Sequence, residues 1–220
     1  VEGRSELAEN LNLSPINQGT HMNTKLITGA GLLLTLGHAS PAPATIVTNG
    51  SFEEGVVLDG YRTVLAGDAF VRGWEVFGTS IDVLTSPRWT AASGVQSLDL
   101  AGTPGVGGVR QWVATEPGSS YLVRFALSRN DEGEGDKTVL FSWGSQTEQL
   151  LGGPQGSWSI VERLCVATDP ATLISFASPE VGLYGGTLDD VSVTAVPAPA
   201  SVFPIGIAAL AARRRRRGTR

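Results

Sequence analysis

The segment YLVRFALS, residues 121–128, decides the fold. In an extended chain it sets Tyr121, Val123, Phe125 and Leu127 on one side and Leu122, Arg124 and Ala126 on the other. A period of two with large apolar residues on one side marks a strand with one face on a core. TVLFSW (138–143) repeats the pattern with Val139, Phe141 and Trp143, and LDDVSVTA (188–195) with Val191, Val193 and Ala195. On this reading Asp189 shares the inward face with Val191 and Val193, so it needs a partner there. Six more segments qualify: FVRGWEVF, SIDVL, QSLDL, VRQWVA, SIVERLCVA and TLISFAS. Gly, Pro, Asn and Asp separate them, and no convincing amphipathic helix or internal repeat intervenes. The expectation is an all-β fold, an antiparallel β-sandwich of jelly-roll type with about nine strands.

The composition agrees. Only 17% of the 220 residues are charged and 28 are glycine, which suits a turn-rich β domain. The net charge of −5 hides an uneven distribution, because six of the sixteen basic residues lie from Arg213 onward. Thr45 to Pro199 therefore carries about −10. Such a body does not bind nucleic acid by counterion release. The only histidines are His21 and His38, so the body offers no Ser-His-Asp or Cys-His site and no typical zinc site. Cys165, the only cysteine, forms no intrachain disulfide and reads as a small buried strand residue. A carboxylate pair is the one catalytic option left, and plentiful carboxylates are no evidence for a pair at the required separation. The chain is not expected to be an enzyme.

Both ends read as addresses. Met22 is the only methionine; Lys25, the apolar Leu26 to Leu36 and the small residues from Ala39 to Ala44 follow it. That order is a secretory signal peptide over 22–44, which leaves 1–21 as a leader outside the fold. At the other end VPAPAS (196–201) leads into an apolar run, Val202 to Ala212, too short to span a bilayer on its own. Arg213, Arg214, Arg215, Arg216 and Arg217 close it, and arginines after an apolar run stop transfer and stay cytoplasmic. Short targeting helices are expected at both ends.

Linker, apolar segment and arginine cluster together resemble the PEP-CTERM sorting signal of exported bacterial surface proteins. Pro197 and Pro199 match that signal; Ala198 stands where it carries Glu. The resemblance implies export, transient anchoring in the inner membrane, and release by an exosortase-type enzyme to the surface or extracellular matrix. The body, 45–195, carries NGSFEEG, GWEVFGTSIDVL, WTAASGVQSLDLAG, VRQWVATEPGSSYLVRFALSRN and GGTLDDVSV in that order. This ordered set resembles the DUF642 / choice-of-anchor C group, whose domains are galactose-binding-like and similar to carbohydrate-binding modules.

The resemblance implies a structural calcium at the junction of the first and last strands, with Glu53 and Asp189 as the matching carboxylates. The alternative for Asp189 is that it caps a turn or accepts backbone N–H bonds. The acidic stretch NDEGEGDK, residues 130–137, lacks EF-hand spacing and reads as a solvated loop. Sugars are held by aromatic faces with a few polar groups. Trp74, Trp143 and Trp158 read as core. Trp89, beside Arg88 in SPRWTAASG, and the loop residues Tyr61 and Tyr184 are the candidate ligand contacts, against a turn-packing role for each. The expectation is an exported sandwich that binds polysaccharide or cell-wall glycan. A structural matrix protein without a ligand site and a carboxylate-based glycoside hydrolase are the alternatives.

Overall fold

The computed structural model describes residues 44–198. The segments expected to be leader, signal peptide (apart from Ala44) and targeting helices, with Pro199 and the arginine cluster, lie outside them.

The domain is an antiparallel β-sandwich with eleven strands among the described residues: β1 Tyr61–Leu65, β2 Glu75–Gly78, β3 Ser80–Thr85, β4 Gln96–Asp99, β5 Gly107–Ala114, β6 Ser120–Arg129, β7 Thr138–Trp143, β8 Gln146–Leu151, β9 Ser159–Val166, β10 Ala171–Ala177 and β11 Gly186–Val196. Six form one sheet in the order β1-β3-β4-β11-β6-β9, and five the other in the order β2-β5-β10-β7-β8. The jumps between sheets are those of a jelly roll.

All nine expected strands are present. The two unforeseen ones, β1 and β8, are edge strands. Most of their residues are exposed, so they carry no apolar alternation to read. One expected strand is shorter: Phe70 to Trp74 forms no strand, with Gly73 at φ 80°, and β2 begins at Glu75.

Between the sheets lies an aromatic chain that the alternation of β6, β7 and β10 aims inward. Phe125 meets Phe176 at 4.9 Å and Phe141 at 5.1 Å between ring centroids. Trp74 joins at 6.3 Å from Phe176, and Phe52 packs on Trp74 at 5.5 Å. Tyr121 and Trp143 extend it, and the Tyr121 hydroxyl accepts the Glu116 N–H at 2.8 Å. Offset and tilted rings of this kind stabilise beyond their area alone. The N-terminal segment runs beside the last strand: Ile46 N–H donates to Val193 O, and Val191 N–H to Gly50 O, each at 2.8 Å.

The register of β11 corrects one expectation. Its pairing with β6 shifts between Asp189 and Ser192, where Asp190 takes φ 50°. This bulge reverses the alternation. Val191 and Val193 face the core, whereas Asp189 pairs with Ala126 on the outer face of the six-stranded sheet. A bulge adds one residue to the strand, and the residue types do not announce it.

Candidate functional site

Alternation places Thr63 of β1, Asp82 and Leu84 of β3, Ser97 and Asp99 of β4, and Thr187 and Asp189 of β11 on that outer face. A solvated face would be exposed. Here Asp82, Leu84, Ser97, Asp99, Thr187 and Asp189 are all buried, because loops fold over them.

The β3–β4 loop, residues 86–95, is the main cover, and carboxylates hold it down. Asp189 Oδ2 accepts the N–H groups of Ala92 and Ser93, both at 2.8 Å, and its Oδ1 accepts Asp190 N–H at 2.6 Å. Glu53 Oε1 accepts Val95 N–H at 2.9 Å and Gln96 N–H at 2.8 Å. Gly94, at φ 66°, lets Glu53 approach: a Cβ there would stand 2.4 Å from its carboxylate oxygen. Trp158 Nε1 donates to Thr90 O at 2.9 Å. Trp158 is thus a half-buried brace for the loop, not the core residue the sequence suggested.

Asp99 clamps the other side. Its Oδ1 accepts Ala101 and Gly185 N–H at 2.8 and 2.9 Å, and its Oδ2 accepts the Asn130 amide at 2.5 Å. Burial pushes the Asp99 and Asp189 carboxyls up to about 7. The N–H bonds pull both back without cancelling the lost solvation. Asp82, the cross-strand partner of Asp99, is raised by burial too, against bonds from the Thr63 hydroxyl and the Thr103 N–H.

Glu53 and Asp189 both grip the 92–96 segment, Asp189 at its start and Glu53 at its end. The groups bonded to them are backbone N–H donors. Among the described residues no group of three or more His, Cys, Asp or Glu is placed to hold a metal ion. Asp189 thus makes the backbone N–H bonds that its alternative role called for.

The covering loops leave a cleft between them, of about 170 Å³. It is lined by Tyr61, Trp89 and Tyr184 together with Asp82, Asn130 and Glu132. The three candidate aromatics, far apart in sequence, share this cleft. Tyr61 begins β1 instead of lying in a loop, and its ring meets Trp89 edge-on at 6.1 Å. Arg88 lies 4.5 Å from the Trp89 ring centroid and ion-pairs with Glu132. Trp89 is therefore a supporting wall, 7% exposed, whereas Tyr61 at 53% and Tyr184 at 39% offer surface to a ligand. Arg88 is a strut between loop and wall.

Sequence reasoning missed Asp82, Asp99, Asn130 and Glu132 as parts of this site. The one available signal was an aspartate inside each of the apolar runs SIDVL and QSLDL. Asn130 and Glu132 belong to the acidic stretch 130–137, most of which is exposed, as expected.

Residues 45–194, almost the whole sandwich, match the family described as "Protein of unknown function (DUF642)". The chain belongs to the DUF642 family. No curated protein matches it. Among solved structures, this DUF642 domain is similar to the carbohydrate-binding module TmCBM61 in complex with β-1,4-galactotriose. The identity is 15%, the match covers 69% of this chain and 99% of that one, and the TM-score is 0.47. It is also similar to the CBM22-1 xylan-binding domain from Paenibacillus barcinonensis Xyn10C: 16% identity, 73% and 100% coverage, TM-score 0.45. At these scores the likeness carries no argument about ligand or activity.

Proposed function

We propose that the domain binds polysaccharide or cell-wall glycan at the cleft of Tyr61, Trp89 and Tyr184, and acts without catalysing a reaction. One observation carries this reading: three aromatics from remote segments converge beside hydrogen-bonding groups that are already oriented. Tyr61 and Tyr184 supply surface for the C–H face of a pyranose, and Asp82, Asn130 and Glu132 supply partners for its hydroxyls. The loops are clamped before any ligand arrives, which lowers the ordering cost of binding.

The wider reading is that the domain is exported and surface-displayed. The signal-peptide order after Met22 and the PEP-CTERM-like tail support it, with export machinery and an exosortase-type enzyme as processing partners and the inner membrane as a transient anchor. The choice-of-anchor C resemblance belongs to the same reading.

A glycan array on the full chain tests the binding. Wild type binds at least one glycan, and Tyr61→Ala with Tyr184→Ala removes that binding while melting temperature is kept. No binding to any glycan would favour the structural matrix protein. Turnover of a chromogenic glycoside that is lost with Asp82→Asn would favour the hydrolase. Cell fractionation tests export: cytoplasmic protein that retains the residues before Met22 would overturn it.

A further inference from the structure

The opposite face of the sandwich holds a second groove, about 670 Å³ in volume. It is lined by Trp112 of β5 and Leu173, its register partner on β10, and also by Trp143 and Val166. One wall is the β7–β8 turn with Ser145 and Gln146, and the other is the β9–β10 loop with Thr168 and Asp169. We propose that this groove is a second glycan site, which takes an internal stretch of a neutral polysaccharide chain. The proposal rests on reading the domain as glycan-binding.

Trp112 is 66% exposed, whereas Trp74, Trp89 and Trp143 are each under 9%. Those three rings pack on other aromatic rings, and the Trp158 indole N–H is bonded to the β3–β4 loop. Alternation on β5 turns Val109 and Val113 into the core and aims Trp112 out. A polar residue would serve the fold equally well there. The next outward residue, Arg110, is engaged: it pairs with Glu75 through two nitrogens, at 2.9 and 2.5 Å, and lies over Phe77. The indole is therefore left uncovered in the groove.

The walls are tied to the sheet. Gly144 N–H donates to Leu173 O at 2.9 Å, the Thr115 hydroxyl to Asp169 O at 2.7 Å, and the Thr168 hydroxyl to the Asp169 carboxylate at 2.7 Å. A preformed groove of this volume lies in the usual range for ligand sites. The cleft on the other face is far smaller and suits a chain end or a side group.

Its chemistry selects the ligand. No Lys or Arg lines the groove, and the body is acidic, so anionic polymers are repelled. Apolar groups of Trp112, Leu173, Val166 and Pro170 stand beside hydroxyls, an amide and a carboxylate, and the exposed indole is the largest of them. An indole face ringed by such groups matches a neutral pyranose, with apolar C–H groups on its face and hydroxyls at its rim. Two sites on opposite faces would let one domain bridge two chains.

Affinity electrophoresis of the full chain through gels containing soluble β-glucan, xylan or galactan tests this. In a gel that retards wild type, Trp112→Ala should weaken retention by about tenfold or more. Trp112→Phe should retain part of it. The Tyr61→Ala/Tyr184→Ala variant should lose a separate share, and the triple variant all of it. If Trp112→Ala runs as wild type while the tyrosine variant is released, the groove proposal fails and the cleft reading stands. If only Trp112→Ala is released, the groove stands and the cleft reading fails. If no gel retards wild type, both fail. A change of oligomeric state in Trp112→Ala by light scattering would assign the groove to a second copy of the chain and overturn the proposal.

Discussion

The outer face of the six-stranded sheet is roofed by loops, and the outer face of the five-stranded sheet around Trp112 is open. Under the roof lie three aspartates, Asp82, Asp99 and Asp189, each out of water and each bonded to backbone N–H groups or polar side chains. The open face places its charges at the surface, where Arg110 and Glu75 meet half in solvent. A buried carboxylate is costly unless its oxygens are satisfied. The roofed face uses that cost: a loop bonded to Asp189 cannot leave without stranding the charge. The open face has no such roof over Trp112 and leaves that side chain 66% exposed.

The sharpest way to break this contrast is Asp189→Ala. It strands the N–H groups of Ala92, Ser93 and Asp190 and frees the loop behind Trp89. A loss of about 3–5 kcal/mol is expected in urea unfolding. A loss under about 1 kcal/mol would show that the clamp does not hold the roof.

Acidity provides the second test. Asp99 and Asp189 have folded-state values near 7, above the usual 3.8. The folded state therefore binds their protons more tightly than the unfolded chain does. The stability this confers is complete below about pH 4 and is lost as pH rises through about 7. The melting temperature should fall by several degrees between pH 5 and pH 8. Asp99→Asn and Asp189→Asn should each flatten that slope, and Trp112→Ala should leave it unchanged.

Glu53→Gln keeps an oxygen for Val95 and Gln96 but removes its charge, so a smaller loss of about 1–2 kcal/mol is expected. A calcium chelator should leave the wild-type melting curve in place if backbone N–H donors alone satisfy Glu53 and Asp189. A drop of several degrees would instead place an ion at the Glu53–Asp189 junction. The smallest effect belongs to the open face: Trp112→Ala should change stability by less than about 0.5 kcal/mol, because the residue adds nothing to the core.

The sequence made the core strands legible because each buries one face, and a period of two follows from that burial. β6 and β7 could be read residue by residue. β1 and β8 could not, because most of their residues are exposed and β1 sends only Val64 into the core. Tyr61, Trp89 and Tyr184 were visible as bulky aromatics near turns, where core packing gives no ready reason for them. Asp82 and Asp99 were visible only as charges inside apolar runs.

Residue order alone determined the fold class, the acidic body without histidine and the places of nine strands, all of which follow from local alternation and composition. Tertiary structure decided which loops meet. It brought positions 61, 89 and 184 into one cleft and set Glu53 and Asp189 on the same backbone segment. It also turned Asp189 outward through a single bulge and left Trp112 uncovered. These outcomes depend on strand order, register and loop path. Those are set by the summed packing of segments remote in the chain, and no short window of sequence contains that sum.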